Sequence, residues 1–127
     1  MSRFFRASWL APVWTILIII ALSVPGKSLP SVSILDFDKY IHAGLFFVLT
    51  ILWLAALADR TALRAIVIVS LIILFSFASE LYQEMLPFDR TADIFDAIAD
   101  SVGALVGFAF WGIRTAVTRP PVSPVDN

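Results

Sequence analysis

The stretch SELYQEMLPFDRTADIFDAIADSVGALVG, residues Ser79–Gly107, joins the end of one apolar segment to the start of the next. It holds six of the ten acidic residues of the chain, and Glu80 and Asp100 fall inside segments that are otherwise mostly apolar. Ionisable groups at membrane depth are costly and usually serve a function. The stretch therefore predicts a membrane fold with a polar site inside it.

The composition requires a membrane environment for most of the chain. Of its 127 residues, 60% are hydrophobic and 15% are charged, against about 45–50% and about 25% in soluble domains. The net charge of −1 and the scattered basic residues give no sign of nucleic-acid binding. The lack of cysteine excludes disulfides, thiolate metal sites and cysteine nucleophiles, and a single histidine, His42, excludes a multi-histidine metal site within one chain.

Four segments have the length and apolar character of membrane-spanning helices, which need about 20 residues. We predict an all-α polytopic membrane protein, a compact bundle of four transmembrane helices at Trp9–Val24, Lys39–Ala58, Leu63–Gln83 and Asp93–Ile113. Residues 1–118 are expected to form one domain, followed by a disordered Pro-rich tail at 119–127. The first segment has an alternative interpretation as a cleaved signal peptide, because Arg3 and Arg6 precede an apolar run that ends in small residues.

Basic residues near the span ends indicate the orientation, because they are enriched on the cytoplasmic side. Six of the nine lie on the side of the two termini, and three on the other side, namely Lys27, Lys39 and Arg90. The distribution predicts a multi-pass protein of the bacterial cytoplasmic (inner) membrane with both termini in the cytoplasm. Most acidic residues then lie on the outer face.

Polar residues at helical spacing mark the outer ends of three predicted helices. Residues three or four positions apart lie on one face of a helix. The residues so grouped are Asp38, Lys39 and His42 on the second helix, Glu80, Gln83 and Glu84 on the third, and Asp93, Asp96 and Asp100 on the fourth. Arg90, in the loop before the fourth helix, can reach back over them. The sequence therefore predicts one polar, acidic site that faces outward.

Some of these features have simpler interpretations. Asp38 and Asp93 stand where helix caps are expected, and Lys39 can extend its ammonium to the membrane interface. Gly103 and Gly107 form a GxxxG motif, which is typical of close helix packing. The motif leaves open whether the packed helix belongs to the same chain, so no oligomeric state is predicted.

Buried acids at membrane depth must be paired, protonated or hydrated. An acidic residue at the centre of a membrane helix costs about 2.5–3.5 kcal/mol, which applies to Glu80 and Asp100. A structural polar network would satisfy this requirement. We favour a ligand pocket, because the mixture of acid, base and amide groups exceeds what locking helices together needs.

The joint pattern of these residues resembles the VanZ-like family, small bacterial membrane proteins named for a teicoplanin-resistance accessory protein. The matching motifs are Asp38-Lys39-x-x-His42, Glu80-x-x-Gln83, Pro87-x-x-Arg90 and Asp96-x-x-x-Asp100-x-x-Gly103-x-x-x-Gly107, which span residues 38–107. The chain departs from the family at Asp89, where Gly is common, and at Asp100, where Asn is usual. The resemblance implies a cell-envelope role, linked in some members to glycopeptide susceptibility and so to antibiotic resistance, but supplies no mechanism.

The preferred hypothesis is a protein that acts on an anionic envelope precursor or lipid headgroup. His42 would be the acid or base, oriented by Asp38, and Lys39 and Arg90 would hold a phosphate or carboxylate. The candidate catalytic residues are His42, Glu80 and Asp96, and the candidate ligand-binding residues are Asp38, Lys39, Gln83, Arg90 and Asp100. No cofactor is predicted; a divalent cation on the carboxylates and His42 is chemically feasible, but the sequence has no diagnostic metal spacing.

Two other hypotheses remain open. In one, the protein is a non-catalytic membrane accessory or binding protein whose polar residues are structural or dock a partner. In the other it transports protons or small ions. The second is weaker, because the charges crowd one face and no polar path crosses Val48–Leu57 or Ile66–Phe75.

Overall fold

The computed structural model describes residues 2–24, 35–57, 61–87 and 92–118, with side chains from residue 8 in the first range and residue 37 in the second. This part of the chain forms four helices and no strand: α1 (Ser2–Ser23), α2 (Leu35–Ala55), α3 (Ala62–Met85) and α4 (Ile94–Val117). The prediction of an all-α, four-helix fold is confirmed. Arg90 and the tail at 119–127 lie outside the described residues.

Three helices of the described chain are long and apolar enough to cross a membrane: Phe37–Ala55 of α2, all of α3 and all of α4. The part of α1 with described side chains, Ser8–Ser23, is apolar but shorter than such a span. Large apolar side chains such as Leu63 and Leu74 point away from the bundle and are exposed. A membrane protein of at least three spans follows, and the crossing by α1 stays a prediction.

The starts of α1 and α2 differ most from the sequence prediction. Helix α1 begins at Ser2, seven residues before Trp9, and α2 begins at Leu35, four residues before the predicted start at Lys39. Asp38 therefore lies in the first turn, and its interpretation as the cap of α2 is wrong. In α4 the cap prediction is confirmed, because the Asp93 side chain accepts the backbone N–H of Phe95 at 2.9 Å.

The two helices that carry most of the polar motif, α2 and α4, pack against each other along most of their length. Glycine on α4 permits this approach: a Cβ at Gly103 would overlap the carbonyl oxygen of Ala43, and one at Gly107 would lie 3.0 Å from that of Phe47. The GxxxG motif thus packs on a helix of the same chain. Small residues at such contacts let helix backbones approach closely in membranes.

The other two helices complete the bundle around a small apolar core. Ile18 and Leu22 of α1 are buried with Phe46, Leu49 and Ile72. Indole N–H groups add polar links between α1 and α2, since Trp14 Nε1 donates to the Leu45 carbonyl and Trp53 Nε1 to Thr15 Oγ1, each at 3.1 Å. The first helix is therefore packed into the bundle.

The polar end of the bundle is the end at which α1 and α3 finish and α2 and α4 begin. Ser23 Oγ and Tyr82 Oη are hydrogen-bonded there at 2.9 Å and join α1 to α3. Arg64 and Arg114 lie near the other end of the bundle, one in the first turn of α3 and one in the last turn of α4. This arrangement collects the acidic residues of three helices in one place.

Candidate functional site

Ionisable side chains from α2, α3 and the start of α4 meet at the polar end of the bundle. We call this group the polar cluster; its members are Asp38, Lys39, His42, Glu80, Asp93, Asp96 and Asp100. Sequence spacing grouped all of these residues on helix faces, and Asp93 alone was then set aside as a helix cap. Spacing on a single helix does not reveal the contacts between helices.

His42 takes its closest partner from α4. Its Nδ1 lies 3.0 Å from Asp100 Oδ1, and both side chains are buried, Asp100 with an exposure of 0%. Asp38, which the sequence favoured as the orienting group, has Oδ1 3.8 Å from Nε2, beyond hydrogen-bond length. Asp96 Oδ2 lies 3.9 Å from the same nitrogen. Asp100 is thus the carboxylate that orients the ring.

Lys39 is held by two carboxylates at the edge of the cluster. Its Nζ donates to Asp96 Oδ1 at 2.9 Å and to Asp93 Oδ2 at 3.2 Å. The side chain keeps an exposure of 40%, and an ammonium has three donors. Within the described residues two of its three N–H groups are therefore hydrogen-bonded, and Nζ also lies 5.7 Å from the centre of the Phe95 ring. Asp96 connects this exposed ammonium to the buried His42.

Asp93 is the member of the cluster that the sequence interpretation treated only as a helix cap. A capping carboxylate uses one oxygen for the helix and leaves the other free, and in Asp93 that second oxygen binds Lys39. The Phe95 backbone N–H, and after it the Lys39 ammonium, hold the pKa of Asp93 below its usual 3.8. Its contribution to stability is therefore complete above pH 3.8 and is lost as the pH falls through the lowered pKa.

Replacing Asp93 by alanine should lower the free energy of unfolding by about 1 kcal/mol, because α4 loses its cap. Asp93→Asn should lower the free energy of unfolding by less. Asparagine caps a helix as well as aspartate does, so only the ion pair with Lys39 is lost. The measurement is thermal unfolding of both variants in the same detergent at neutral pH. Equal losses would show that the ion pair, and not the cap, is the stabilising contact.

Two buried carboxylate oxygens are left over in the cluster. Glu80, with an exposure of 5%, accepts the Asp93 backbone N–H through Oε2 at 3.0 Å. Its other oxygen, Oε1, and Asp100 Oδ2 have no hydrogen-bond partner within the described part of the chain. An unsatisfied buried acceptor costs about 1–3 kcal/mol. The cluster is therefore incomplete as a purely structural network.

Gln83, a predicted ligand-binding residue, makes its hydrogen bond to α1. Its side chain is buried, and Nε2 donates to the carbonyl oxygen of Leu22 at the end of α1, at 3.4 Å. This contact holds α3 against α1. Arg90, the other predicted binding residue beyond the helices, is outside the described residues.

Two sets of three side chains in the described structure have the spacing of cation ligands. In each set one possible ligand atom per residue lies within 4.8 Å of the others. The outer set is Asp38, His42 and Asp96, and the buried set is His42, Glu80 and Asp100. His42 belongs to both sets, and its two ring nitrogens face them separately.

Apolar cavities lie beside the cluster. One, of about 290 Å³, is bounded by α1 and α3 and includes Leu22, Ser79 and Tyr82. A second, of about 250 Å³, lies deeper between α1, α2 and α3, and Phe75 lines both. Ser79 precedes Glu80, so the first cavity reaches the level of the polar cluster. A third, of about 460 Å³, lies at the opposite end of α4.

The comparisons with known proteins identify one family. A family model described as VanZ/LLP1 matches residues 3–115, a wider range than the motifs at 38–107 and one that includes α1. No curated protein and no solved structure matches the chain.

Proposed function

Because this chain belongs to the VanZ/LLP1 family, we propose that it works in the bacterial cell envelope by binding a lipid headgroup or an anionic envelope precursor at the polar cluster. The observation that carries this proposal is the continuous series of contacts from the half-exposed Lys39 through Asp96 and His42 to the fully buried Asp100. It places an ammonium donor, an imidazole and carboxylates within reach of one bound group.

The energetic cost of the cluster supports a ligand-binding role. Two buried oxygens, Glu80 Oε1 and Asp100 Oδ2, have no hydrogen bond from the described residues, and they would weaken a network that served only to lock helices together. Polar groups of this kind inside membrane helices are typical of functional sites. A bound group that supplies the missing contacts explains why the acids are present.

The cavities on the α1 side favour a ligand with a hydrocarbon tail. Both are lined mostly by apolar residues, and the one lined by Ser79 lies at the level of the polar cluster along α3. An apolar chain along α1 and α3 would bring its headgroup to the polar cluster. This geometry supports a membrane lipid or lipid-linked precursor over a small soluble anion.

The distribution of charge supports the proposed location. Arg64 and Arg114 lie near the end of the bundle opposite the cluster, and basic residues favour the cytoplasmic side. The polar cluster would then face outward from the cytoplasmic membrane, with both termini inside. A link to glycopeptide susceptibility follows from the family resemblance and belongs to the same proposal.

A catalytic form of the proposal assigns proton transfer to His42. Asp100 at Nδ1 would hold the ring in one tautomer, which leaves Nε2 directed toward Asp38 and Asp96. A histidine oriented by a carboxylate in this way can serve as a general acid or base. Glu80 and Asp96 would be the carboxylates nearest the reacting group.

The alternative function is that of a non-catalytic accessory protein with a structural cluster. The contacts of Lys39 with Asp93 and Asp96, and of Gln83 with Leu22, favour it, because these groups find partners within the chain and join neighbouring helices. Under this alternative the cluster would stabilise the bundle and select no lipid.

Lipid binding to a Lys39→Gln variant separates the two functions. We expect the wild-type protein in detergent to bind phosphatidylglycerol more tightly than phosphatidylcholine by native mass spectrometry. Loss of the Lys39 ammonium should weaken phosphatidylglycerol binding about tenfold, the effect of one charge-assisted hydrogen bond. Arg114→Gln is the matched control, since it removes one positive charge at the opposite end of the bundle. A lower melting temperature with unchanged lipid preference would support the structural alternative instead.

A further inference from the structure

We propose that the buried set, His42, Glu80 and Asp100, binds a divalent metal ion. One possible ligand atom from each residue lies within 4.8 Å of those of the other two. All three side chains are buried, with exposures of 9%, 5% and 0% respectively. The set joins α2, α3 and α4, so a cation there would hold three helices at the polar end.

Two buried carboxylate oxygens without a hydrogen-bond partner among the described residues are independent evidence for a bound ligand. Glu80 Oε1 and Asp100 Oδ2 belong to carboxylates of this set, are inaccessible to solvent, and have no partner among the described residues. Buried carboxylates are stable when they are paired or coordinate a metal. A cation between them would satisfy both oxygens at once and offset their negative charge.

The contact between His42 and Asp100 fits two ligands of one ion. Nδ1 and Oδ1 are 3.0 Å apart, and two neighbouring ligand atoms of an octahedral ion, each at about 2.1 Å, are separated by about 3.0 Å. The other ring nitrogen, Nε2, faces Asp38 and Asp96 at 3.8 and 3.9 Å. Histidines that bind metals usually direct their second N–H to a carboxylate or carbonyl.

The outer set is a poorer cation site. Asp96 Oδ1 is bound by the Lys39 ammonium at 2.9 Å, and a second positive charge at Asp96 would be repelled. Asp38 is also half exposed. Among the described residues no ammonium contacts the carboxylates of the buried set, so it is the set that a cation would occupy.

The ligand types indicate which ions fit. One imidazole nitrogen with carboxylate oxygens suits Zn²⁺ and Mn²⁺, whereas Mg²⁺ and Ca²⁺ favour ligand sets made of oxygen alone. The inference goes beyond the proposed function, because the cation would bind whether or not a lipid is present. Only one consequence rests on that function: the cation would give an anionic headgroup a positive partner in an acidic cluster.

Binding of Mn²⁺ to the purified full chain tests the inference. Electron paramagnetic resonance of free Mn²⁺ should show about one ion bound per protein, displaced by Zn²⁺. Glu80→Gln should weaken Mn²⁺ binding at least tenfold. Even the loss of a group that only hydrogen-bonds to a metal ligand lowers metal affinity about 10–100-fold. Glu84→Gln, an exposed acid one turn along the same helix, should bind as the wild type does.

The outcomes separate this inference from the proposed function. Asp100→Asn is the second variant, in case Glu80→Gln fails to fold, as judged by circular dichroism and gel filtration. Folded wild-type protein that binds neither Mn²⁺ nor Zn²⁺, or a folded Glu80→Gln or Asp100→Asn variant that binds as the wild type does, would overturn the metal site. Tight Mn²⁺ binding without any preference for phosphatidylglycerol would uphold the metal site and contradict the headgroup proposal.

Discussion

A Gly103→Ala variant is expected to lose most of the stabilisation that comes from the packing of α2 against α4. The added Cβ would overlap the carbonyl oxygen and carbonyl carbon of Ala43, which belong to the backbone of a helix. No side chain can move aside to make room, so the helices must separate along their contact. Overpacking costs about 1–3 kcal/mol and occasionally more, and we expect about 3 kcal/mol here because backbone atoms are involved.

Gly112→Ala is the matched control for this prediction. It lies in the same helix, and a Cβ there would meet nothing within 4 Å. Alanine in a helix interior is favoured over glycine by about 0.5–1 kcal/mol, so this variant should be as stable as the wild type or more so. Thermal unfolding in one detergent, followed by circular dichroism, compares the two. Equal melting temperatures would contradict the close packing of α2 and α4.

The second large effect is expected from His42→Ala. The change leaves Asp100 buried at 0% exposure with neither of its oxygens hydrogen-bonded by the described residues. Removing one partner of a buried charged pair costs about 3–5 kcal/mol. The loss should appear as a much lower melting temperature, and the metal and lipid affinities of any folded protein should fall as well.

A double-mutant cycle shows whether the pair is the cause. Asp100→Ala and the double variant His42→Ala/Asp100→Ala complete it, and the double variant should be less destabilised than the sum of the single variants. Coupling energies of groups in direct contact are about 0.5–3 kcal/mol. Additive losses would show that His42 and Asp100 stabilise the bundle independently, which the 3.0 Å contact between them does not allow.

The fold was largely predictable because hydrophobicity determines it. Long apolar runs have few arrangements in a bilayer, and helices satisfy their own backbone hydrogen bonds there. The helix ends were less predictable. The length of an apolar run reflects the thickness of the hydrocarbon layer. Helix α2 starts before its apolar run, at Leu35, and α4 continues past its run to Val117. Hydrogen bonding carries these helices beyond their apolar runs.

The site was predictable only as sets of residues on single helices. Spacing placed Asp38 beside His42 and Asp96 beside Asp100, but not the pair of His42 and Asp100, which joins two helices. Such pairs depend on how α2 and α4 are rotated and shifted against each other, and this depends on the close packing at Gly103. Gln83 shows the same limit of helical spacing. Its hydrogen-bond partner lies on α1, and the position of Gln83 within α3 gave no sign of that contact.

Nuclear magnetic resonance of His42 tests most directly whether a ligand reaches the polar cluster. The chain has one histidine, so ¹⁵N-histidine labelling gives signals from this ring alone. The protein would be placed in phosphatidylcholine nanodiscs with and without phosphatidylglycerol, in the presence of Zn²⁺. Headgroup binding at the cluster predicts that phosphatidylglycerol shifts the His42 ring resonances and that Lys39→Gln abolishes the shift. Unchanged resonances at phosphatidylglycerol levels that saturate binding would contradict a headgroup site at the polar cluster.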